Sequence, residues 1–272
     1  MTETDRARPF LAPWFRPAAS KVPAVTASFW ILKILTTGLG EAASDSLVRA
    51  GGAVAVAVTA SVLVAGLVAQ WRASRYIPGV YWFAVAMVAV FGTMAADIPH
   101  RLGVPLWVTS TGYLLAVLLI LFAWYRVEGT LSFATITTRR REAFYWGTVL
   151  ATFALGTAVG DLSADNWGLG NLASGAMFVV LIAVPAIAHR WLGLNAVTAF
   201  WVAYILTRPL GASFADWMGM PFRRGGLGLG MPLTTGLWAA AIAVFVGVLV
   251  MAGRSGRQGV TSPGGRGSAT ST

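Results

Sequence analysis

The chain has 272 residues, of which 57% are hydrophobic and only 11% charged, with a formal net charge of +10. Soluble domains carry about a quarter charged residues, so these values exclude an ordinary soluble fold and point to a polytopic membrane protein. The lack of cysteine excludes disulfides, thiolate metal sites and cysteine nucleophiles, and two histidines, His100 and His189, are too few for a histidine-rich metal centre.

Residues 1–22 contain no continuous apolar core and no cleavage site, so they are expected to form a short cytoplasmic tail rather than a signal peptide. Apolar segments follow at 24–46, 51–71, 78–98, 105–125, 143–163, 170–189, 194–216 and 231–252. Each has about 20 residues, enough to cross a hydrocarbon core of about 30 Å as a helix. Pro78, Pro105 and Pro232 stand near segment starts, where a missing N–H costs little. None of the segments alternates as a membrane β-strand would. The Gly/Ser/Thr-rich residues 254–272 are expected to be a disordered cytoplasmic tail, which leaves a membrane domain over 23–253.

The basic residues are distributed unevenly. Arg6, Arg8, Arg16, Lys21, Arg72, Arg75, Arg126, Arg139, Arg140, Arg141, Arg190, Arg254, Arg257 and Arg266 fall on one side of the eight spans, and Arg49, Arg101, Arg223 and Arg224 on the other. The positive-inside rule then puts both termini in the cytoplasm of a multi-pass cell (inner) membrane protein. The net positive charge is a topology signal, with anionic lipid as a secondary partner. Nucleic acid is not an expected partner, because the basic groups are juxtamembrane and lack an aromatic reading surface.

The odd-numbered spans repeat one pattern. Trp30, Trp82, Trp146 and Trp201 are each followed ten residues later by Gly40, Gly92, Gly156 and Gly211, and fifteen later by Asp45, Asp97, Asp161 and Asp216. An aromatic residue precedes every one of these tryptophans: Phe29, Tyr81, Tyr145 and Phe200. A small residue precedes every aspartate: Ser44, Ala96, Gly160 and Ala215. The even spans echo one another more weakly, with TSTG at 109–112, ASG at 173–175 and TTG at 234–236. Each repeat is thus a hairpin of two spans, at about 23–74, 75–127, 139–191 and 194–253. Two spans return the chain to its starting side, so all four hairpins have the same orientation. The expected fold class is all-α: eight transmembrane helices in four tandem, parallel helical hairpins, with the odd helices able to surround one axis.

The stretches FWILKILTTGLGEAASD, YWFAVAMVAVFGTMAAD, YWGTVLATFALGTAVGDLSAD and FWVAYILTRPLGASFAD resemble those of a bacterial integral membrane family built from four tandem two-span repeats of unknown function. The resemblance covers nearly the whole chain outside the tails. It implies the fold and carries over no activity.

Within the motif, the glycine and the small residue four positions on share a helix face, a spacing that lets two membrane helices approach closely. The motif positions Trp30, Gly40, Trp82, Gly92, Trp146, Gly156, Trp201 and Gly211 therefore read as helix packing. The aspartates lie about 22 Å beyond their tryptophans along the helix, toward the outer side. An acid at a helix centre costs up to ~3 kcal/mol, so Asp45, Asp97, Asp161 and Asp216 must pair, bind an ion, be protonated or reach water. Glu41 and Asp45 are i,i+4, as are Asp161 and Asp165 if the helix runs that far; repeats two and four offer Thr93 or Ser213 instead. Four such acids at one depth would form an oxygen-only cage suited to Mg²⁺, Ca²⁺ or Mn²⁺, with Asp45, Asp97, Asp161 and Asp216 as metal ligands.

Lys33 and Arg208 lie deeper than the acids, and Thr36, Thr152 and Thr207 share one motif offset; together they are candidates for a pathway or gate. The threonines have a plainer use in bonding their own helix carbonyls. Pro209 would weaken its helix beside Arg208. The leading expectation is a transporter or channel for a divalent metal cation or a proton, with an inorganic cation and the bilayer as partners and no cofactor beyond a divalent ion. A structural or partner-binding membrane protein is the alternative. An intramembrane aspartyl enzyme fits less well, since AVGD at 158–161 departs from Gly-x-Gly-Asp and four equivalent acids exceed a dyad.

Overall fold

The structure, a computed structural model, describes residues 20–258. It is all-helical, with no strand among the described residues. The α-helices are α1 (Ala27–Arg72), α2 (Pro78–Arg101), α3 (Leu106–Glu128), α4 (Arg139–Asp161), α5 (Gly170–Trp191), α6 (Ala196–Gly219) and α7 (Met231–Gln258). All but α6 are long and apolar enough to cross a membrane; α6 carries Arg208, Pro209 and Asp216, which lower its hydropathy. The first two expected segments, 24–46 and 51–71, are joined in α1 without a loop. Its 46 residues would measure about 69 Å if straight, more than twice a hydrocarbon core. The helix is interrupted at Gly52, whose φ of 51° and ψ of −128° are non-helical. Past that point the chain returns to its starting end, where Lys21 Nζ donates to the Trp71 carbonyl at 3.0 Å.

The sequence marks the helix ends. Thr26, Thr138 and Asn195 cap α1, α4 and α6 by accepting from the N–H groups of Phe29, Arg141 and Val197, satisfying donors with no intrahelical partner. Pro78 opens α2, and left-handed Gly129 closes α3. After Asp161 the chain widens into a π-turn over Leu162–Asn166. The ends of the expected membrane domain are also adjusted. Lys21 and Val22, assigned to the tail, are buried, and α7 continues past 253 to Gln258. The rest of both expected tails lies outside the described residues.

The packing follows the repeat. An ideal Cβ on Gly40 would lie 2.6 Å from Cβ of Ala89, and one on Gly92 2.9 Å from Cβ of Phe153. One on Gly156 would meet the Arg208 methylenes, and one on Gly211 would meet Thr37. Thr37, Ala89, Phe153 and Arg208 each stand seven residues after their motif tryptophan. The glycine of each repeat therefore receives the same position of the next repeat, and the glycine of the fourth receives that of the first. A single asymmetric contact applied four times closes into a ring, ordered α1 (first half), α2, α4, α6. The remaining helices flank it. In the most apolar stretch, 67% of α2 and of α4 is buried, against 22% of α3 and α5 and 6% of α7.

At the tryptophan end the ring is closed by aromatic side chains. Phe133, from a short 3-10 turn between α3 and α4, packs on Phe29, Tyr145 and Phe200 at centroid distances of 5.4, 5.7 and 4.8 Å. The hydroxyls of Tyr81 and Tyr145 are hydrogen-bonded at 2.5 Å. The aromatic residue before each motif tryptophan thus joins a common cluster. Lys21 braces the same end, with its Nζ 2.8 Å from the Glu142 carboxylate, and Gln70 donates to Glu142 at 3.4 Å.

Candidate functional site

Along each ring helix the positions −1, +3, +7, +11 and +15 from the motif tryptophan form one i,i+4 stripe. The first is the aromatic plug and the last is the aspartate. Between them, +3 holds Lys33, Val85, Val149 and Tyr204, +7 holds Thr37, Ala89, Phe153 and Arg208, and +11 holds Glu41, Thr93, Thr157 and Ala212. None of these three rows holds the same residue type in all four repeats, so the ring is chemically asymmetric inside.

Arg208 is the centre of this axis and is wholly buried. Its guanidinium ties the other three repeats together. Nη1 donates to the Thr37 carbonyl at 3.0 Å. Nη2 donates to Glu41 Oε2 at 2.9 Å, to Thr157 Oγ1 at 2.8 Å and to Thr93 Oγ1. The last three are the +11 residues of repeats one, three and two. The guanidinium carbon also lies 5.3 Å from the Phe153 ring centroid. A buried ion pair is tolerated when further hydrogen bonds satisfy its remaining groups; the two hydroxyls and the carbonyl do this for the Nη atoms, while Nε is buried without a partner.

Lys33 lies deeper, 1% exposed. Its Nζ sits over the rings of Phe153 and Tyr204 at 4.1 and 4.2 Å and has no hydrogen-bond partner. Cation–π attraction offsets part of the desolvation of such a group. Thr36, Thr152 and Thr207 are buried and donate to the carbonyls of Lys33, Val149 and Tyr204. They therefore satisfy their own helices instead of lining an open path.

The aspartates form two classes. Asp45 pairs with Arg49 at 2.6 Å and Asp97 with Arg101 at 3.5 Å, each one turn along its own helix. Asp161 and Asp216 have no cation at that offset, and their carboxylates make no hydrogen bond or ion pair among the described residues; Asp216 is 8% exposed. Glu41, Asp97, Asp161 and Asp216 each lie within electrostatic range of Arg208 and of at least one other of the acids. Among the described residues, however, no three acidic or histidine side chains are placed to hold a metal ion, and two of the four motif aspartates face their own arginines. Asp165 is exposed, because the π-turn after Asp161 rotates it off the face it would occupy in an α-helix.

Sequence reasoning found Arg208 and Glu41 but not their joining, and passed over Thr37 and Thr157. The signal was available in the aligned repeats, where the +11 column reads Glu, Thr, Thr, Ala. The Thr93 hydroxyl, noted only as a companion of Asp97, belongs to the guanidinium.

No curated protein and no solved structure matches the chain. A family model described as Repeat of Unknown Function (DUF347) matches residues 28–76, 80–130, 144–193 and 199–255. The four matches cover well over half the chain and each contains one ring helix with its motif. The chain belongs to this repeat family, as a membrane protein carrying four copies of its unit.

Proposed function

We propose that the protein is a transporter for a small cation, working along the axis of its four-repeat ring, and that it has no catalytic role. Its eight helical rods, counting α1 as two, each span the bilayer of the inner membrane. The hairpins share one orientation, and both termini are cytoplasmic. The cyclic glycine contacts support the shared orientation, since antiparallel neighbours would not present the same offsets to one another. The excess of arginine and lysine beside the aromatic end supports the cytoplasmic assignment.

One observation carries the reading. The only fully buried guanidinium among the described residues sits on the axis, bound by equivalent positions of the three other repeats. Ionisable groups inside a membrane bundle mark ion pathways. Glu41 is then the binding carboxylate and Arg208 its internal counter-ion, which an entering cation replaces. Asp161 and Asp216, without arginine partners, attract that cation at the outer mouth. Asp45 and Asp97 are held by Arg49 and Arg101. The aromatic plug closes the cytoplasmic end, so a cation reaches the axis from the acidic side. A single binding carboxylate suits a proton, one of the two cations expected from the sequence, or a monovalent ion better than a divalent metal.

The test is flux in proteoliposomes. Wild-type protein should move H⁺, Na⁺ or K⁺ above protein-free liposomes, with little movement of Mg²⁺, Ca²⁺ or Mn²⁺, and Glu41→Gln should abolish the flux. Background flux for every ion would remove the transport reading. It would favour a structural role, to which the Asp45–Arg49 and Asp97–Arg101 pairs already conform as helix-end anchors.

A further inference from the structure

The hydrogen bonding around Arg208 is mismatched in one respect. Nη2 carries two hydrogens but faces three acceptors: Glu41 Oε2, Thr93 Oγ1 and Thr157 Oγ1. The two hydroxyls cannot relieve the excess by turning, because their own hydrogens are directed to the carbonyls of Ala89, at 3.0 Å, and Phe153, at 3.2 Å. Their lone pairs are left facing the guanidinium. Meanwhile Nε of the same side chain is buried and donates to nothing. A planar guanidinium recognised as such would have its donors matched across the fork. Here the oxygens converge on one point, and one edge of the fork goes unused. Convergent oxygen lone pairs from a carboxylate and hydroxyls are the chemistry of a hard, compact cation. One carboxylate neutralises one charge. Mg²⁺ and Ca²⁺ require six or more oxygen ligands, and only one of the three acceptors on Nη2 is a carboxylate.

We propose that the point held by Arg208 Nη2 is a binding site for a compact monovalent cation of the sodium type, with Glu41, Thr93 and Thr157 as ligands and Arg208 as its tethered occupant. The inference deepens the transport reading and rests on it for its role, though not for its existence. Each repeat but the fourth supplies one ligand from the +11 position. The fourth supplies Ala212 there and, one turn earlier, the arginine. Pro209, which follows it, deprives the Ile205 carbonyl of its helical N–H partner. The helix is thereby weakened at the residue that must move for the exchange to occur.

The experiment uses the full-length protein in detergent. Thermal unfolding of wild type and Arg208→Met is compared in LiCl, NaCl, KCl or NH4Cl against choline chloride at equal ionic strength. Wild type should be indifferent, because the tether fills the site. Arg208→Met should melt lower in choline and regain its midpoint, saturably, in at least one of the four small cations. The gain should vanish in Arg208→Met/Glu41→Gln. Equal midpoints in all five salts would overturn the proposal. So would a gain that survives Glu41→Gln, a gain produced only by guanidinium, or one produced by Mg²⁺ or Ca²⁺ at lower concentration. Should Arg208→Met not fold, Arg208→Lys and Arg208→Gln decide: an ammonium has three hydrogens for three acceptors, so Lys should melt well above Gln, and equal loss refutes the point site. Cation binding without flux in liposomes would leave the site and remove the transport reading; flux without binding would remove the site alone.

Discussion

The ring makes a specific demand on four glycines, which alanine substitution tests directly. A Cβ on Gly40 would sit 2.6 Å from the Ala89 Cβ and 2.8 Å from its carbonyl carbon, about 1 Å inside the 3.5–4.0 Å optimum for carbon pairs. On Gly211 it would meet the Thr37 side chain and the Gly38 nitrogen at 2.9 Å. Both sites meet backbone, so no rotamer change relieves them. On Gly92 the obstacle is chiefly the Phe153 Cβ at 2.9 Å, and on Gly156 it is the side chain of Arg208, pinned by its hydrogen bonds. Overpacking of this kind costs about 1–3 kcal/mol, and alanine returns up to ~1 kcal/mol in helix propensity. Net losses of about 1–2 kcal/mol are therefore expected for Gly40→Ala and Gly211→Ala, with smaller losses for Gly92→Ala. Gly112, Gly147 and Gly236 also lie inside helices, yet a Cβ there has nothing within 4 Å, so their alanine variants should be neutral or up to ~1 kcal/mol more stable. Reversible unfolding in mixed detergent–SDS micelles, followed by circular dichroism, measures the difference. Seam variants that unfold together with the three controls would show that the repeats do not pack as a closed ring.

Three further outcomes follow from the same contacts. Gly52→Ala places a side chain at φ 51° with no neighbour within 4 Å, so its loss of about 1–3 kcal/mol is purely conformational; an unchanged unfolding midpoint would mean that α1 does not turn there. Lys33→Met removes a buried amine without a hydrogen-bond partner and keeps its length, so it should unfold no earlier than wild type and up to ~3 kcal/mol later; a marked loss would reveal an unrecognised partner. Glu41→Gln and Arg208→Met should each cost about 3–5 kcal/mol by stranding the other charge, while the double variant should cost much less than their sum, a coupling that a double-mutant cycle reads directly.

Much of this architecture was legible in the sequence, because its main determinant is periodic. The motif offsets predicted helices and a glycine packing face, and the structure shows Gly40, Gly92, Gly156 and Gly211 all used that way. The order of the repeats around the axis was not legible, since spacing along a helix says nothing about its neighbour. The aspartates were misread as one class for a related reason. Their depth follows from the 1.5 Å rise per residue, but whether each turns to the axis or to its own helix depends on what stands four residues on. Arg49 and Arg101 stand there in two repeats, and Asp165 and Met220 in the others. Asp165 was lost to a π-turn that no local residue pattern announced. Arg208 and Glu41 were each recognised as expensive, but their union joins residues 167 apart in sequence, across an interface that only the folded ring defines.

The pattern of identity and divergence among the repeats has an electrostatic logic. Where one repeat meets the next, the contact is the same four times, so the same glycine serves in every copy. On the axis the four side chains at one level face each other, and identity becomes costly. Two like charges about 5 Å apart interact by roughly 3 kcal/mol at an effective dielectric of 20, and four equivalent arginines or glutamates would repeat that penalty across every pair. A duplicated chain can place charge there only by breaking its own symmetry. It has done so with one guanidinium at +7, one carboxylate at +11 and hydroxyls on the two repeats between them. The aspartates at +15 retain fourfold identity because Arg49 and Arg101 neutralise two of the four. Restoring symmetry is therefore the harshest perturbation of the axis: Thr157→Glu would set a second carboxylate beside the one guanidinium, without a second cation, whereas Ala212→Thr would add a third hydroxyl at +11 and no charge.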